Sequence, residues 1–146
     1  MNSIVVTCPS CATKNRIPAD MQHLGPKCGK CKTSISLAAV AVPVELDDST
    51  FAGFIRQASK PVMVDFFSPT CGPCRMLAPV IEAMARKFYG RMIIAKLDTS
   101  RSQMAAAQYR IRSVPTLLFF KNGRLVDQVT GALPEQELIQ VLEKFA

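Results

Sequence analysis

Residues 61–88 read PVMVDFFSPTCGPCRMLAPVIEAMARKF. The run PVMVDFF (61–67) is β-branched and aromatic, and apolar on both alternating faces except for Asp65. That is the pattern of a central strand covered on both sides. After the cysteines, Leu77, Val80, Ile81, Met84 and Phe88 recur at helical spacing and make one apolar stripe. Pro79 lies inside that stripe and is expected to bend the helix, because it removes a hydrogen bond and crowds the preceding turn. A C-x-x-C pair therefore stands between a buried strand and the start of a helix.

The flanking sequence continues the alternation. AVPVEL is a short strand, and DDSTFAGFIRQAS a helix with Asp47 or Asp48 as N-cap and Phe51, Phe54, Ile55 and Ala58 on one face. MIIAKL (92–97) reads as a strand and SQMAAAQYR as a short helix. TLLFF and RLVDQVT flank the turn signal KNG and form an antiparallel hairpin. PEQELIQVLEKFA opens with proline and acidic residues, as a helix N-terminus should. From Val42 onward the order is β-α-β-α-β-α-β-β-α, an α/β fold with a mixed sheet.

All six cysteines fall in C-x-x-C pairs. Cys8 and Cys11 are separated by sixteen residues from Cys28 and Cys31, a spacing that suits a two-knuckle ribbon holding one structural zinc through four thiolates. Residues 1–37 carry no phenylalanine or tyrosine, so they bury little apolar area, and the metal would supply their folding free energy. His23 is then a plain loop histidine, since four sulfurs fill the shell. The uncharged stretch TSISLAAVAVPV (33–44) reads as a last ribbon strand running into a linker. The expected division is a zinc ribbon at 1–37, a linker at 38–43 and the α/β domain at 44–146.

The third pair, Cys71 and Cys74, sits where unpaired N–H groups and the helix dipole favour a thiolate. Residues three apart in a first helical turn can close a disulfide. Cys71, outermost, is placed to attack a substrate disulfide, and Cys74, one turn in, to displace the reduced product.

With VMVDFF, the CGPC followed by Pro79, AKLD, SVPT, FFKNG and TGAL, residues 42–146 resemble the thioredoxin family. The four-cysteine head makes the whole chain resemble that family's zinc-containing bacterial thioredoxin-2 type. The resemblance implies a thioredoxin fold and a protein-disulfide reductase with Cys71 as nucleophile and Cys74 as resolving thiol. It implies that Asp65 exchanges a proton with Cys74 through water. An Asp65 paired simply with Lys96 is the alternative, and Lys96 tunes Asp65 in either case. Pro115, after Val114, would be a cis proline whose flanking backbone binds an extended substrate segment. Gly72 and Pro73 would set the turn, and Gly131 would leave room for substrate. Gly-Pro between the cysteines resembles the reducing members. The family's usual tryptophan before the first cysteine is replaced by Thr70, and the chain has no tryptophan. That removes an apolar wall beside the dithiol and bears on substrate range.

The 146 residues are 49% hydrophobic and 20% charged, which is globular rather than disordered, and no apolar run is long enough to span a bilayer. The start, MNSIVVTCPSC, lacks the pattern of a secretory signal, so a reducing, cytoplasmic compartment is expected. The formal charge is +7. Residues 1–40 hold five basic side chains against Asp20, and a tetrathiolate zinc would bring that segment to about +2. With no basic run elsewhere, nucleic acid is not an expected partner. The expected partners are disulfide-containing proteins and a flavin-dependent thioredoxin reductase with NADPH. The chain is expected to be a monomer with a redox-active disulfide and no bound organic cofactor. The competing readings are a zinc-ribbon binding module with the α/β domain as scaffold, and a redox sensor that releases its metal.

Overall fold

The computed structural model describes residues 3–146; Met1 and Asn2, assigned above to the ribbon, lie outside the described residues. The chain opens with an antiparallel pair, β1 (Ser3–Thr7) and β2 (Lys14–Pro18), followed by a 3-10 helix at Ala19–Leu24. Then come β3 (Val44–Leu46), α1 (Phe51–Gln57), β4 (Val62–Phe67), α2 (Gly72–Lys87) and β5 (Ile93–Asp98). The last elements are α3 (Gln103–Gln108), β6 (Thr116–Lys121), β7 (Arg124–Thr130) and α4 (Glu135–Glu143). This is the element order expected from the sequence, an α/β domain preceded by a small cysteine-rich head.

Five strands form one mixed sheet in the order β3-β5-β4-β6-β7, with β3, β5 and β4 parallel and β6 and β7 antiparallel. Strand β4 occupies the middle. Its Val62, Val64 and Phe66 face one core with Phe51 and Ile55 of α1 and Ala105 of α3. Its Met63 faces the opposite core with Leu77, Ile81 and Met84 of α2 and Leu138 and Leu142 of α4. Alternation along the strand puts Asp65 on the α2 and α4 side as well. The β6–β7 hairpin turns at Asn122 and Gly123, both at positive φ, the geometry that matches strand twist in a two-residue turn.

Two local expectations are corrected. Residues 33–40 form no strand; they make only a single bridge between Lys27 and Ser34, and Ile35 and Leu37 plug the ribbon core from an irregular segment. The N-cap of α1 is Thr50, not Asp47 or Asp48, and the acidic pair divides other work. Asp47 accepts the N–H groups of Ser49 (2.9 Å) and Thr50 (3.0 Å) and so shapes the turn that leads into α1. Asp48 reaches across to α3 and accepts the N–H groups of Met104 (3.2 Å) and Ala105 (2.8 Å). It satisfies the donors of a helix fifty-odd residues downstream, which local spacing cannot reveal. Helix α2 runs without a break through Pro79.

The ribbon packs against the α/β body. Leu37 is fully buried in a cluster with Ile4, Ile17, Cys8 and Cys28, against which Val42 and Tyr89 pack. Gln22, 4% exposed, uses its side-chain amide as a strand would, donating to the Val42 carbonyl (2.6 Å) and accepting its N–H (3.1 Å). The Tyr89 hydroxyl, just beyond α2, donates to the Gln22 carbonyl at 2.8 Å. His23 sits in the 3-10 helix and meets the Phe54 ring edge-on at 5.4 Å, with its pKa pushed down by burial and by nearby Lys60.

Gln22→Ala would leave two backbone groups of half-buried Val42 without these partners. The expected cost is about 1–3 kcal/mol in chemical denaturation, with faster protease cleavage at residues 38–43. Unchanged stability together with unchanged cleavage would show that this clamp does not dock the ribbon.

Candidate functional site

Strand β4 ends at Phe67, and the turn Ser68-Pro69-Thr70 delivers Cys71 as the N-cap of α2, in extended backbone (φ −88°, ψ 118°). The turn is tied by the Thr70 N–H on Ser68 Oγ (3.4 Å) and by Arg75 Nε on the Pro69 carbonyl (3.0 Å). Pro73 stands in the first helical turn, where its missing N–H would have had no helical acceptor anyway. Cys71 and Cys74 are joined as a disulfide with Cα atoms 5.2 Å apart. The Cys74 N–H donates to Cys71 Sγ at 3.1 Å. Together with the helix dipole, that N–H stabilises negative charge on Cys71 once the bond is reduced. Cys74 is buried (3% exposed) and Cys71 is partly exposed, so an incoming group meets Cys71 first.

Cys71 Sγ lies 3.6 Å from the Val114 carbonyl oxygen, and the Val114–Pro115 peptide is cis. Gly131, at φ 95°, donates its N–H to the Pro115 carbonyl at 2.8 Å, and a Cβ there would meet nothing within 4 Å. Gly72, likewise, has open space on its Cα. Thr70, Gly72 and Pro73 are exposed around the dithiol. The structure thus gathers Thr70, Cys71, Gly72, Pro73, Cys74, Val114, Pro115 and Gly131 at one end of the sheet.

Asp65 lies on β4 beneath this surface and is 4% exposed; its Oδ1 has no hydrogen-bond partner. Burial pushes its pKa up to about 7, and Lys96 offsets only part of that. Lys96 is its register partner on β5, yet the Lys96 ammonium pairs with Glu45 Oε1 on β3 at 3.4 Å. No Asp65–Lys96 ion pair is present among the described residues. The sequence reading did not single out Glu45; the only hint was a charge between two apolar residues of a short strand.

The ribbon cysteines form a second, separate constellation. The four sulfurs of Cys8, Cys11, Cys28 and Cys31 all lie within 4.8 Å of one another, with 3.6 Å between Cys8 and Cys31 and between Cys11 and Cys28. Four thiolates at Zn–S bonds of about 2.3 Å in a tetrahedron would stand about 3.8 Å apart, so the donor set fits one zinc.

The two knuckles repeat each other twenty residues apart. Cys8 N–H bonds the Thr13 carbonyl and Cys28 N–H the Thr33 carbonyl, both at 2.8 Å, and Ala12 and Lys32 share φ near 65°. The backbone N–H groups of Ser10 and Lys30 point at Cys8 and Cys28. The N–H groups of Cys31 and Lys30 bring the Cys28 thiol down to about 6. Asn15, which the sequence did not flag, accepts the Gly29 N–H at 2.9 Å and donates to Cys28 Sγ at 3.5 Å.

Two family models match the chain: thioredoxin over residues 42–144, and the N-terminal region of thioredoxin 2 over residues 7–33. Thioredoxin 1 of Nostoc sp. is 44% identical over 105 residues, covering 72% of this chain and 98% of that protein. Thioredoxin C-3 of Corynebacterium nephridii is 33% identical over 141 residues, covering 97% of this chain and 94% of that protein. The chloroplastic M-type thioredoxin of Spinacia oleracea is 41% identical over 115 residues, and this chain spans 62% of its length. The chain belongs to the thioredoxin family of disulfide oxidoreductases. Within it, the ribbon head makes this chain one of the thioredoxin 2 type.

Folded Asp65 keeps its proton to about pH 7, whereas the unfolded chain gives it up near 3.8, the ordinary value for an aspartate. Its contribution to stability is therefore complete below that value and is lost as pH rises to about 7. Asp65→Asn is expected to match the parent near pH 4 and to exceed it by about 3 kcal/mol at pH 8 in denaturant unfolding. Equal stability at both pH values would contradict a raised Asp65 pKa.

Proposed function

We propose that the chain reduces disulfides in protein substrates through Cys71 and Cys74 and is recharged by a flavin-dependent thioredoxin reductase with NADPH. The observation that carries this reading is the asymmetry of the pair: an accessible sulfur at a helix N-terminus, facing an N–H donor, beside a buried one. The Cys71 thiolate attacks one sulfur of the substrate disulfide and expels the other as a thiolate, giving a mixed disulfide. Cys74 then attacks Cys71 Sγ, the second substrate thiolate leaves, and the Cys71–Cys74 bond forms. The proton that Cys74 sheds passes through water to Asp65, whose affinity near neutrality suits a base working at that pH. Lys96 tunes that affinity.

Substrate lies along the cis Val114–Pro115 segment as an extended strand, bound by flanking backbone groups. Gly131 leaves this surface open, and Thr70 provides a small polar rim where relatives of this family carry tryptophan. Gly72 and Pro73 hold the turn. The division of the chain is a ribbon at 1–37, a connecting segment at 38–43 and the redox domain at 44–146. The ribbon holds one zinc through Cys8, Cys11, Cys28 and Cys31, and the bound ion would fix the fold of the head. No helix among the described residues is long and apolar enough to cross a membrane. On this reading the chain works in the cytoplasm, as a monomer and without a bound organic cofactor.

Cys71→Ser should reduce insulin disulfides with dithiothreitol no faster than buffer, and Cys74→Ser should accumulate a mixed disulfide with substrate. A fully active Cys71→Ser, or trapping by Cys71→Ser instead, would overturn the order of attack. Elemental analysis of protein purified under reducing conditions should find about one zinc per chain, and its removal by a chelator should unfold β1 and β2. A metal-free head with unchanged amide protection would refute the metal assignment.

A further inference from the structure

Lys96 stands in a row of side chains that crosses three parallel strands. Glu45 on β3 is in register with Lys96 on β5, and Lys96 is in register with Asp65 on β4. All three project to the face covered by α2 and α4, since their neighbours Met63 and Ile94 belong to that core and Val44 and Leu46 to the other. One ammonium thus lies between two carboxyl groups on strands about 4.8 Å to either side. The row is graded in exposure. The Glu45 side chain is 54% exposed, that of Lys96 31%, and Asp65 as a residue 4%. The outer end opens on a groove of about 630 Å³ lined by Glu45, Lys96, Phe67, Asp98 and, from the ribbon, Asp20.

The ammonium has made a choice. It pairs with Glu45 at 3.4 Å, and the inner carboxyl is left with an unpartnered oxygen. Had Lys96 turned inward, it would favour the ionised form of Asp65 and weaken it as a proton acceptor. From the geometry we infer that Glu45 is a positioning residue for the redox reaction: it holds Lys96 outward, so that Asp65 remains able to take up the proton of Cys74.

The inference rests on Asp65 acting as that acceptor. Around Asp65, β5 presents Lys96 and Asp98, β3 presents Glu45, and the head of α2 brings the two cysteines; opposite it, β6 offers apolar Leu117. Asp98 is already engaged by Ser100 through its N–H and hydroxyl. Lys96 is the single neighbour whose charge acts appreciably on Asp65. Glu45 therefore acts through Lys96.

The test follows the Asp65 carboxyl carbon by NMR titration of the full-length protein, in parallel with the pH profile of mixed-disulfide resolution. Glu45→Gln should move the Asp65 titration toward acid by about half to one pH unit, and the pH profile with it. In a Lys96→Met background the same substitution should move it by less than about 0.2 unit, because no ammonium remains to be released. Glu45→Asp should restore at least half of the parent titration. No shift in Glu45→Gln, or an equal shift with and without Lys96, would overturn the inference. If Asp65→Asn resolves the mixed disulfide at the parent rate, proton acceptance by Asp65 fails, and the inference fails with it whatever the titration shows.

Discussion

Strand β4 is buried along five of its six residues, and helices must cover both faces of the sheet to keep it so. That double burial fixes where the chain can turn. The strand has to leave the core at Phe67, and the next helix has to start at once to cover one face. Its first residues are the cysteines. The dithiol inherits its placement, its dipole and its N–H donor from this requirement. Asp65 is the one charge placed inside the same strand, and its burial opposes folding at neutral pH. The apolar neighbours Met63, Val64 and Phe66 offset it, each contributing about 1.5–3 kcal/mol when fully buried.

The two kinds of cysteine site show how surroundings separate one motif into two chemistries. At Cys71 one sulfur is open, its partner is buried and the nearest donor is a helix N-terminus. In the ribbon, four sulfurs converge from two copies of the same knuckle, each with a Cys N–H to threonine carbonyl bond and a residue at positive φ. Convergence suits a closed tetrahedral shell, and asymmetry suits exchange.

Much of this was legible in the residues because the signals are local. The continuous apolar, β-branched run 61–67, the helical stripe from Leu77 to Phe88 and the KNG turn each report on the backbone that carries them. The cysteine spacings likewise report which sulfurs a turn can bring together. What escaped the sequence lies between elements. The partner of Lys96 depends on β3 lying next to β5, and the acceptor for α3 is Asp48, far back in the chain. The stretch 33–40 has the composition of a strand but pairs only at the Lys27–Ser34 bridge, and its Ile35 and Leu37 pack into the ribbon core.

Helix α2 has a further consequence through its length. Cys71 caps its start, and Tyr89, just past its end, packs on the cluster that contains Cys8 and Cys28. Sixteen residues of helix separate the two, about 24 Å. The helix acts as a spacer bar between the exchanging thiols and the thiolates of the head. A sulfur on one end cannot reach those on the other without dismantling the fold. Direct thiol exchange between the two sites must therefore pass from one molecule to another, and its rate would scale with protein concentration.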